Sequence, residues 1–175
     1  MLHPGSLSLR SAANVNYTHT LCDILREGMN NMNVTWDDLL IPIETTDPAR
    51  CLAPWSGVIN SSCRPVAVSA FGDWFLQLPD ESVRHLCMIE GTFEQVARDF
   101  SDFQIAMNTQ SWQERYLLSQ LCLTLKEQNK SRTGSQAFAF QIHPRLGGAA
   151  VSGNVVILDL FLWNSICAQV FGLGT

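Results

Sequence analysis

The chain has 175 residues, of which 46% are apolar and only 15% are charged, and its formal net charge is −5. That length can bury a self-sufficient core, whereas the negative charge and the lack of any run of Lys or Arg argue against a surface that binds nucleic-acid phosphates. About a quarter of the residues are charged in a typical domain, so this charge-poor surface suits a protein that binds another protein, and the acidic balance favours a basic partner.

The chain begins with a segment that predicts a helical and loop lead-in over residues 1–63, packed on a core formed by residues 64–175. Apolar side chains with helical spacing indicate a first helix from about residue 14, on a face made of Tyr17, Leu21, Ile24 and Leu25. Thr35 resembles an N-cap for a short second helix that Pro42 ends. The Pro- and Gly-containing stretch 43–63 is typical of an irregular loop.

Residues 64–90 carry the clearest strand pattern of the chain. Apolar and polar residues alternate there in three short runs, and this period of two is typical of half-buried β-strands. The turn residues 79–82 separate the second run from the third. We predict an antiparallel meander at the centre of an α+β domain, joined in the same sheet by a strand near 136–142.

The rest of the chain predicts flanking helices. Capping-box spacing occurs three times after the meander and predicts two short helices and a long one over 112–128, from the pairs Thr92 and Gln95, Ser101 and Gln104, and Ser111 and Glu114. The apolar tail 154–172 indicates a buried strand and helix, because its polar residues interrupt any membrane span. An all-helical bundle is the alternative architecture.

The cysteines and histidines offer no complete site. Six cysteines are spread singly with no C-x-x-C pair, and no secretory signal is recognisable, so we expect reduced thiols in a cytoplasmic protein. His19 with Cys22 and His85 with Cys87 give two ligands each where zinc needs about four. We therefore predict no metal, no cofactor and no enzyme activity, although a Cys–His catalytic arrangement made by the fold stays open.

Several short motifs occur in an order that resembles a known family, the C-terminal domain of type VI secretion DNase-immunity proteins. They are Ala70-Phe71-Gly72-Asp73-Trp74-Phe75, Leu78-Pro79-Asp80, Glu90-Gly91-Thr92 through Ala97, His143-Pro144-Arg145-Leu146-Gly147-Gly148, Asn154 and Gln169. The resemblance covers residues 65–172, and residues 1–64 are only loosely similar to the family's lead-in, which is sometimes a GAD-like segment. The chain departs from the family pattern at Glu81 and Cys87.

The resemblance implies an α+β cytoplasmic protein that binds a cognate secreted antibacterial toxin and blocks its active site. The expected toxin is basic and acts on nucleic acid or a nucleotide, and this chain itself binds neither nucleic acid nor a membrane. An adaptor or chaperone for a secretion-system effector is the main alternative, and a small cytoplasmic enzyme is the other.

The predicted partner-binding residues combine aromatic anchors with acids. Trp55 and Trp74 are expected at the centre of the interface, because Trp is enriched among residues that dominate binding energy. Around them we expect Asp80, Glu81, Glu90 and Glu94, whose charge would complement a basic cleft. Asp37 and Asp38 form a second acidic patch.

Overall fold

The computed structural model describes residues 34–173, so the helix predicted from about residue 14 lies outside the described residues. The strands in that range are β1 (Arg64–Val68), β2 (Trp74–Gln77), β3 (Val83–Leu86), β4 (Phe93–Ala97), β5 (Gln136–Phe140) and β6 (Val155–Asp159). The α-helices are α1 (Trp36–Leu39), α2 (Pro48–Leu52), α3 (Phe100–Met107), α4 (Gln110–Leu117), α5 (Ser119–Glu127) and α6 (Leu160–Val170).

Two antiparallel sheets confirm the predicted α+β class. The first has the strand order β1-β2-β3-β4, and the second pairs β5 with β6. The predicted strand near 136–142 exists as β5, but placing it in the meander's sheet was wrong. The outer edge of β1 is already covered, because Ile41 N donates to Val68 O at 2.9 Å and Ala70 N donates to Leu39 O at 2.7 Å. One backbone bond, from Phe138 N to Ala70 O at 2.8 Å, connects the two sheets.

The segment after the meander is a strand where a helix was predicted. Thr92 and Gln95 match the spacing of a capping box, yet Phe93–Ala97 forms β4 and pairs antiparallel with β3. Phe93 and Val96 are of the aromatic and β-branched types that favour strands, and β3 would otherwise expose an unpaired edge. Pairing across the sheet therefore overrides the local capping pattern.

The helix predicted over 112–128 is two helices. Leu118 separates α4 from α5 with left-handed backbone angles, φ 51° and ψ 47°. The Glu114 carboxylate stabilises the break, because it accepts hydrogen bonds from Gln120 N at 2.8 Å and Ser119 Oγ at 2.9 Å. Glu114, predicted to close a capping box within its own helix, therefore caps the start of the next one.

The lead-in residues that the structure describes belong to the same core as the sheets. Trp36, Leu39, Cys51 and Trp55 are buried against residues of β1, β2 and α6. The predicted loop 43–63 contains α2, which packs on α6, and short 3₁₀ turns at Ile43–Thr45 and Ala53–Trp55. Across residues 34–173, no helix combines the length and apolar character needed to cross a membrane.

Candidate functional site

The two tryptophans predicted as interface anchors lie inside the protein. Trp55 and Trp74 are both 0% exposed. Each indole N–H is satisfied internally, because Trp74 Nε1 donates to Asn164 Oδ1 at 2.7 Å and Trp55 Nε1 donates to Asn164 O at 3.3 Å. Assigning them to a partner interface was therefore wrong, and both residues stabilise the core.

The four acids predicted to surround those anchors are exposed but lie in different places. Asp80 and Glu81 form part of the β2–β3 turn, Glu90 lies in the β3–β4 turn, and Glu94 is on the edge strand β4. Successive turns of an antiparallel meander lie at opposite ends of the sheet, here separated by strands about 13 Å long. The fold therefore does not gather these acids into one ring.

The second predicted acidic patch, Asp37 and Asp38, borders a cleft of about 310 Å³ between α1 and α5. Asp38 is already occupied: its Oδ2 receives Lys126 Nζ at 2.7 Å and Thr35 N at 2.6 Å. Burial raises the pKa of Asp38, but the bonds from Lys126 and Thr35 outweigh burial and leave the pKa below its ordinary value. Asp38 thus holds α1 to α5, whereas the Asp37 side chain is exposed.

Two further cations, Arg132 and Lys130, line this cleft. Arg132 Nη2 donates to the carbonyl oxygens of Asp37 at 2.9 Å and Asp38 at 3.2 Å. Lys130 Nζ donates to the carbonyl oxygens of Ser152 and Val155 at 2.9 and 3.1 Å. Arg132 and Lys130 are thus bonded to backbone carbonyl oxygens, so we interpret the cleft as a junction between packed segments rather than as a ligand site.

An apolar surface that the sequence did not predict lies on the connection between β5 and β6. Ile142, Leu146 and Val151 are exposed by 54%, 67% and 54%. Asn154 fixes the connection, because its Oδ1 accepts Ile142 N at 2.9 Å and its Nδ2 donates to Ile142 O at 2.8 Å and Ala149 O at 2.9 Å. The exposed side chains therefore project from an ordered backbone, which lowers the entropy lost on binding.

This connection packs against the turn that carries Glu90. His143 Nε2 lies 3.1 Å from Met88 O, and His143 Nδ1 accepts Arg145 N at 3.2 Å, so the ring is neutral with its proton on Nε2. Burial lowers the pKa of His143 accordingly. Exposed aliphatic side chains and the exposed Glu90 carboxylate thus share one end of the molecule, and we call Ile142, Leu146, Val151 and Glu90 the connection surface.

A separate cluster of Asp73, His85 and Cys87 forms on one face of the β2–β3 pair. Phe75 is the register partner of His85 and Trp74 that of Leu86, and continuing this register by one more residue on each strand places Asp73 opposite Cys87. His85 Nε2 is 3.7 Å from Asp73 Oδ2, and one potential ligand atom from each of the three residues lies within 4.8 Å of the others. The alternating strand pattern pairs His85 with Cys87, whereas Asp73 joins them only through the register of the β2–β3 hairpin.

The surroundings of this cluster hold its side chains in place. Asp73 Oδ1 accepts Met88 N at 2.6 Å, and Asp73 Oδ2 accepts Ser69 Oγ at 3.3 Å. The His85 ring stacks on Phe75 with a centroid separation of 4.9 Å. His85 Nε2 is buried and finds no hydrogen-bond partner among the described residues.

The same surroundings do not favour a cysteine nucleophile. Burial first, and then the charge of Asp73, raise the pKa of Cys87 to about 12. A nucleophilic cysteine needs a lowered pKa, because the thiolate is the reactive form. Cys87 is thus a protonated thiol at neutral pH.

The crystal structure of Atu4351 from Agrobacterium tumefaciens is similar to this chain, with a TM-score of 0.51 and 18% sequence identity. The alignment covers 71% of this chain and 65% of Atu4351, so the chain spans just under two thirds of that protein. At this identity the likeness concerns the fold alone. No protein-family model matches the chain, and no curated protein matches it.

Proposed function

We propose that this chain is an immunity protein that binds a cognate type VI secretion toxin and neutralises it by blocking its active site. The observation that carries the proposal is that residues from three of the motifs that resemble the DNase-immunity family, Gly72, Gly91 and His143, pack on the same two aromatic side chains, Trp163 and Phe171. Gly72 lies against Trp163, and a Cβ at that glycine would come within 2.8 Å of the indole. Gly91 lies against Phe171 in the same way, and a Cβ at Gly91 would come within 2.7 Å of the Phe171 ring.

His143 and Asn154 join these residues from the other sheet. His143 binds the backbone of Met88, and Asn154 fixes the connection that follows His143. Gly72, Gly91, His143 and Asn154 are packed or bonded internally, so these motif residues build the scaffold. Partner recognition then falls to exposed residues, of which Leu146 and Glu90 lie within the motifs and Ile142 and Val151 lie outside them.

The connection surface has the composition that a toxin interface needs. Leu146 and Val151 can supply buried apolar area on a preordered backbone, and Glu90, on the turn that the His143–Met88 contact joins to this connection, adds negative charge. A toxin that acts on nucleic acid or a nucleotide needs a positively charged cleft to hold phosphates. Complementary charge speeds association, whereas aliphatic burial slows dissociation.

The proposal is tested by producing this chain together with the toxin domain encoded beside its gene. We expect cells to survive only when the chain is present, and we expect the purified chain to inhibit the toxin's reaction. Replacing Leu146 and Val151 together by Ala should weaken binding about 30-fold, or about 2 kcal/mol, mainly through faster dissociation. Ile105→Ala is the matched control, because Ile105 is an aliphatic residue 69% exposed on α3, outside the connection surface.

Each alternative function has its own outcome in this experiment. Binding without inhibition would identify an adaptor or chaperone and contradict the immunity proposal. Turnover by the purified chain alone would identify an enzyme. An unchanged affinity in the Leu146→Ala, Val151→Ala variant would remove the connection surface from the interface while leaving the immunity function to the survival assay.

A further inference from the structure

We propose that Asp73, His85 and Cys87 form a binding site for a divalent transition-metal ion of the zinc class. The site combines one carboxylate oxygen, one imidazole nitrogen and the sulfur of Cys87, whose thiol proton would be released to solvent when the metal–sulfur bond forms. This mixture of donors suits a borderline-soft ion such as Zn²⁺ and does not suit Ca²⁺ or Mg²⁺, which prefer oxygen ligands.

The separation of the three donors is close to what such an ion requires. Tetrahedral coordination with ordinary zinc bond lengths places neighbouring donor atoms roughly 3.3–3.6 Å apart. Asp73 Oδ2 and His85 Nε2 are already 3.7 Å apart, and no pair among the three donors exceeds 4.8 Å. A contraction of about 1 Å at the widest pair, within the reach of small side-chain rotations, would complete the geometry.

The unpartnered nitrogen of His85 is the observation that points to a ligand. The His85 side chain is only 9% exposed, and its Nε2 is aimed at Asp73 across a gap too long for a hydrogen bond. A buried polar atom without a partner destabilises the fold, so each such atom requires an explanation, and a bound ion is one. A metal ion between Asp73 and His85 would satisfy Nε2 and neutralise the buried carboxylate together.

The scaffold holds the donors before any ion arrives. Asp73 is fixed through Met88 N, and the His85 ring is held between Phe75 and Tyr116, whose ring centroid lies 5.2 Å away. Cys87 is half-buried, so this donor lies near the protein surface. An ion in this position would link β2 to the β3–β4 turn, and it would keep a fourth position for water or an added ligand.

The full chain can be tested directly with Co²⁺ and Zn²⁺. After treatment with a chelator and return of the metal, we expect one Zn²⁺ per chain by elemental analysis. With Co²⁺ we expect the near-ultraviolet absorption of a thiolate–cobalt bond and the intense visible bands of tetrahedral coordination. A hundredfold excess of Zn²⁺ over its Kd should raise Tm by roughly 5–10 °C.

Variants separate this site from adventitious binding. Cys87→Ser and His85→Gln should each weaken Co²⁺ binding by at least about 10-fold, and Cys87→Ser should abolish the thiolate band. Cys63→Ser is the matched control, because Cys63 is another half-buried thiol. This variant should leave the Co²⁺ affinity and the thiolate band unchanged. Circular dichroism of each variant checks that it folds.

Three results would overturn the proposal. The first is the absence of stoichiometric Zn²⁺ or Co²⁺ binding by the folded, reduced chain. The second is Co²⁺ binding without a thiolate band, and the third is a loss of that band in Cys63→Ser while folded Cys87→Ser retains it.

Discussion

Asn164 is the residue on which the tryptophan core depends. Its side chain accepts the Trp74 indole N–H and donates to Gly72 O at 3.2 Å, and its backbone carbonyl accepts the Trp55 indole N–H. Asn164 is 90 or more residues away from both tryptophans in the chain. No local pattern in the sequence links them, which is why both tryptophans could be interpreted as interface residues.

Replacing Asn164 by Ala should lower the free energy of unfolding by about 3 kcal/mol, because the buried Trp74 N–H and Gly72 carbonyl would each lose a partner. Urea unfolding measures the loss. Gln169→Ala, on an exposed position of the same helix, should change stability by less than about 0.5 kcal/mol. Equal effects of the two substitutions would show that the Asn164 bonds contribute nothing specific.

Gly72 makes a second residue-scale prediction. Its φ is +86°, and an added Cβ would meet Trp163 Cδ1 at 2.8 Å, so Gly72→Ala should cost about 2 kcal/mol or more. Gly57→Ala is the control, since nothing lies within 4 Å of a Cβ there. The two variants should differ clearly in their chemical denaturation midpoints; coinciding midpoints would contradict the close packing of Gly72 against α6.

At the scale of elements, the meander was predictable and its neighbours were not. Alternation over residues 64–90 predicted β1, β2 and β3, because one face of each strand must be buried. Thr92–Gln95 fits a helix cap and a strand equally well, and only the open edge of β3 decides between them. The helix break at Leu118 depends on a bond from Glu114 to the following helix, which a capping pattern does not reveal.

The connection between β5 and β6 should lose its order when Asn154 is replaced. Asn154→Ala removes the bonds to Ile142 and Ala149, so we expect the Ile142 amide to exchange with solvent about 10-fold faster or more. Amides of β2 and β3 serve as internal controls and should keep their rates. Unchanged exchange at Ile142 would mean that Asn154 does not fix this backbone.

At the scale of the whole molecule, the strand and helix patterns predicted an α+β fold, which is confirmed, whereas the composition predicted only a charge-poor surface. Two parts of the candidate site could not be predicted from the sequence. The connection surface depends on His143 contacting Met88, and the Asp73 cluster depends on the register of β2 and β3. Both are contacts between segments distant in the chain.

Buried thiols should make the protein sensitive to high pH. Burial raises the pKa of Cys87 and of Cys122 to about 12 from a reference value of 9.0. Only the unfolded chain ionises these thiols between those values. The contribution of these thiols to the free energy of unfolding is therefore complete below pH 9. It is lost as pH rises toward 12, by up to about 1.4 kcal/mol per pH unit for each thiol.

Urea unfolding at several pH values between about 8 and 10.5 tests this dependence. Cys122→Ala removes one titrating thiol and should make the decline shallower by up to about 1.4 kcal/mol per pH unit. If the variant and the parent chain decline in parallel, Cys122 does not contribute to the loss.

The whole-molecule charge predicts how the proposed toxin complex should form. Glu90→Gln, within the connection surface, should slow association a few-fold and flatten its dependence on salt, with little change in dissociation. Glu81→Gln, an exposed acid in the β2–β3 turn at the opposite end of the sheet, is the control. Stopped-flow association at several salt concentrations decides the matter, and a rate indifferent to salt would remove the electrostatic part of the proposal.

The contacts of Asn164 also constrain the order in which the protein folds during its synthesis. The meander and β4 are local in sequence and can pair as soon as residue 97 has left the ribosome. Trp55 and Trp74 cannot be enclosed until Asn164 has emerged, 109 and 90 residues later. We therefore expect a nascent intermediate with a formed sheet and two accessible indoles, the stage at which a chaperone would be most needed.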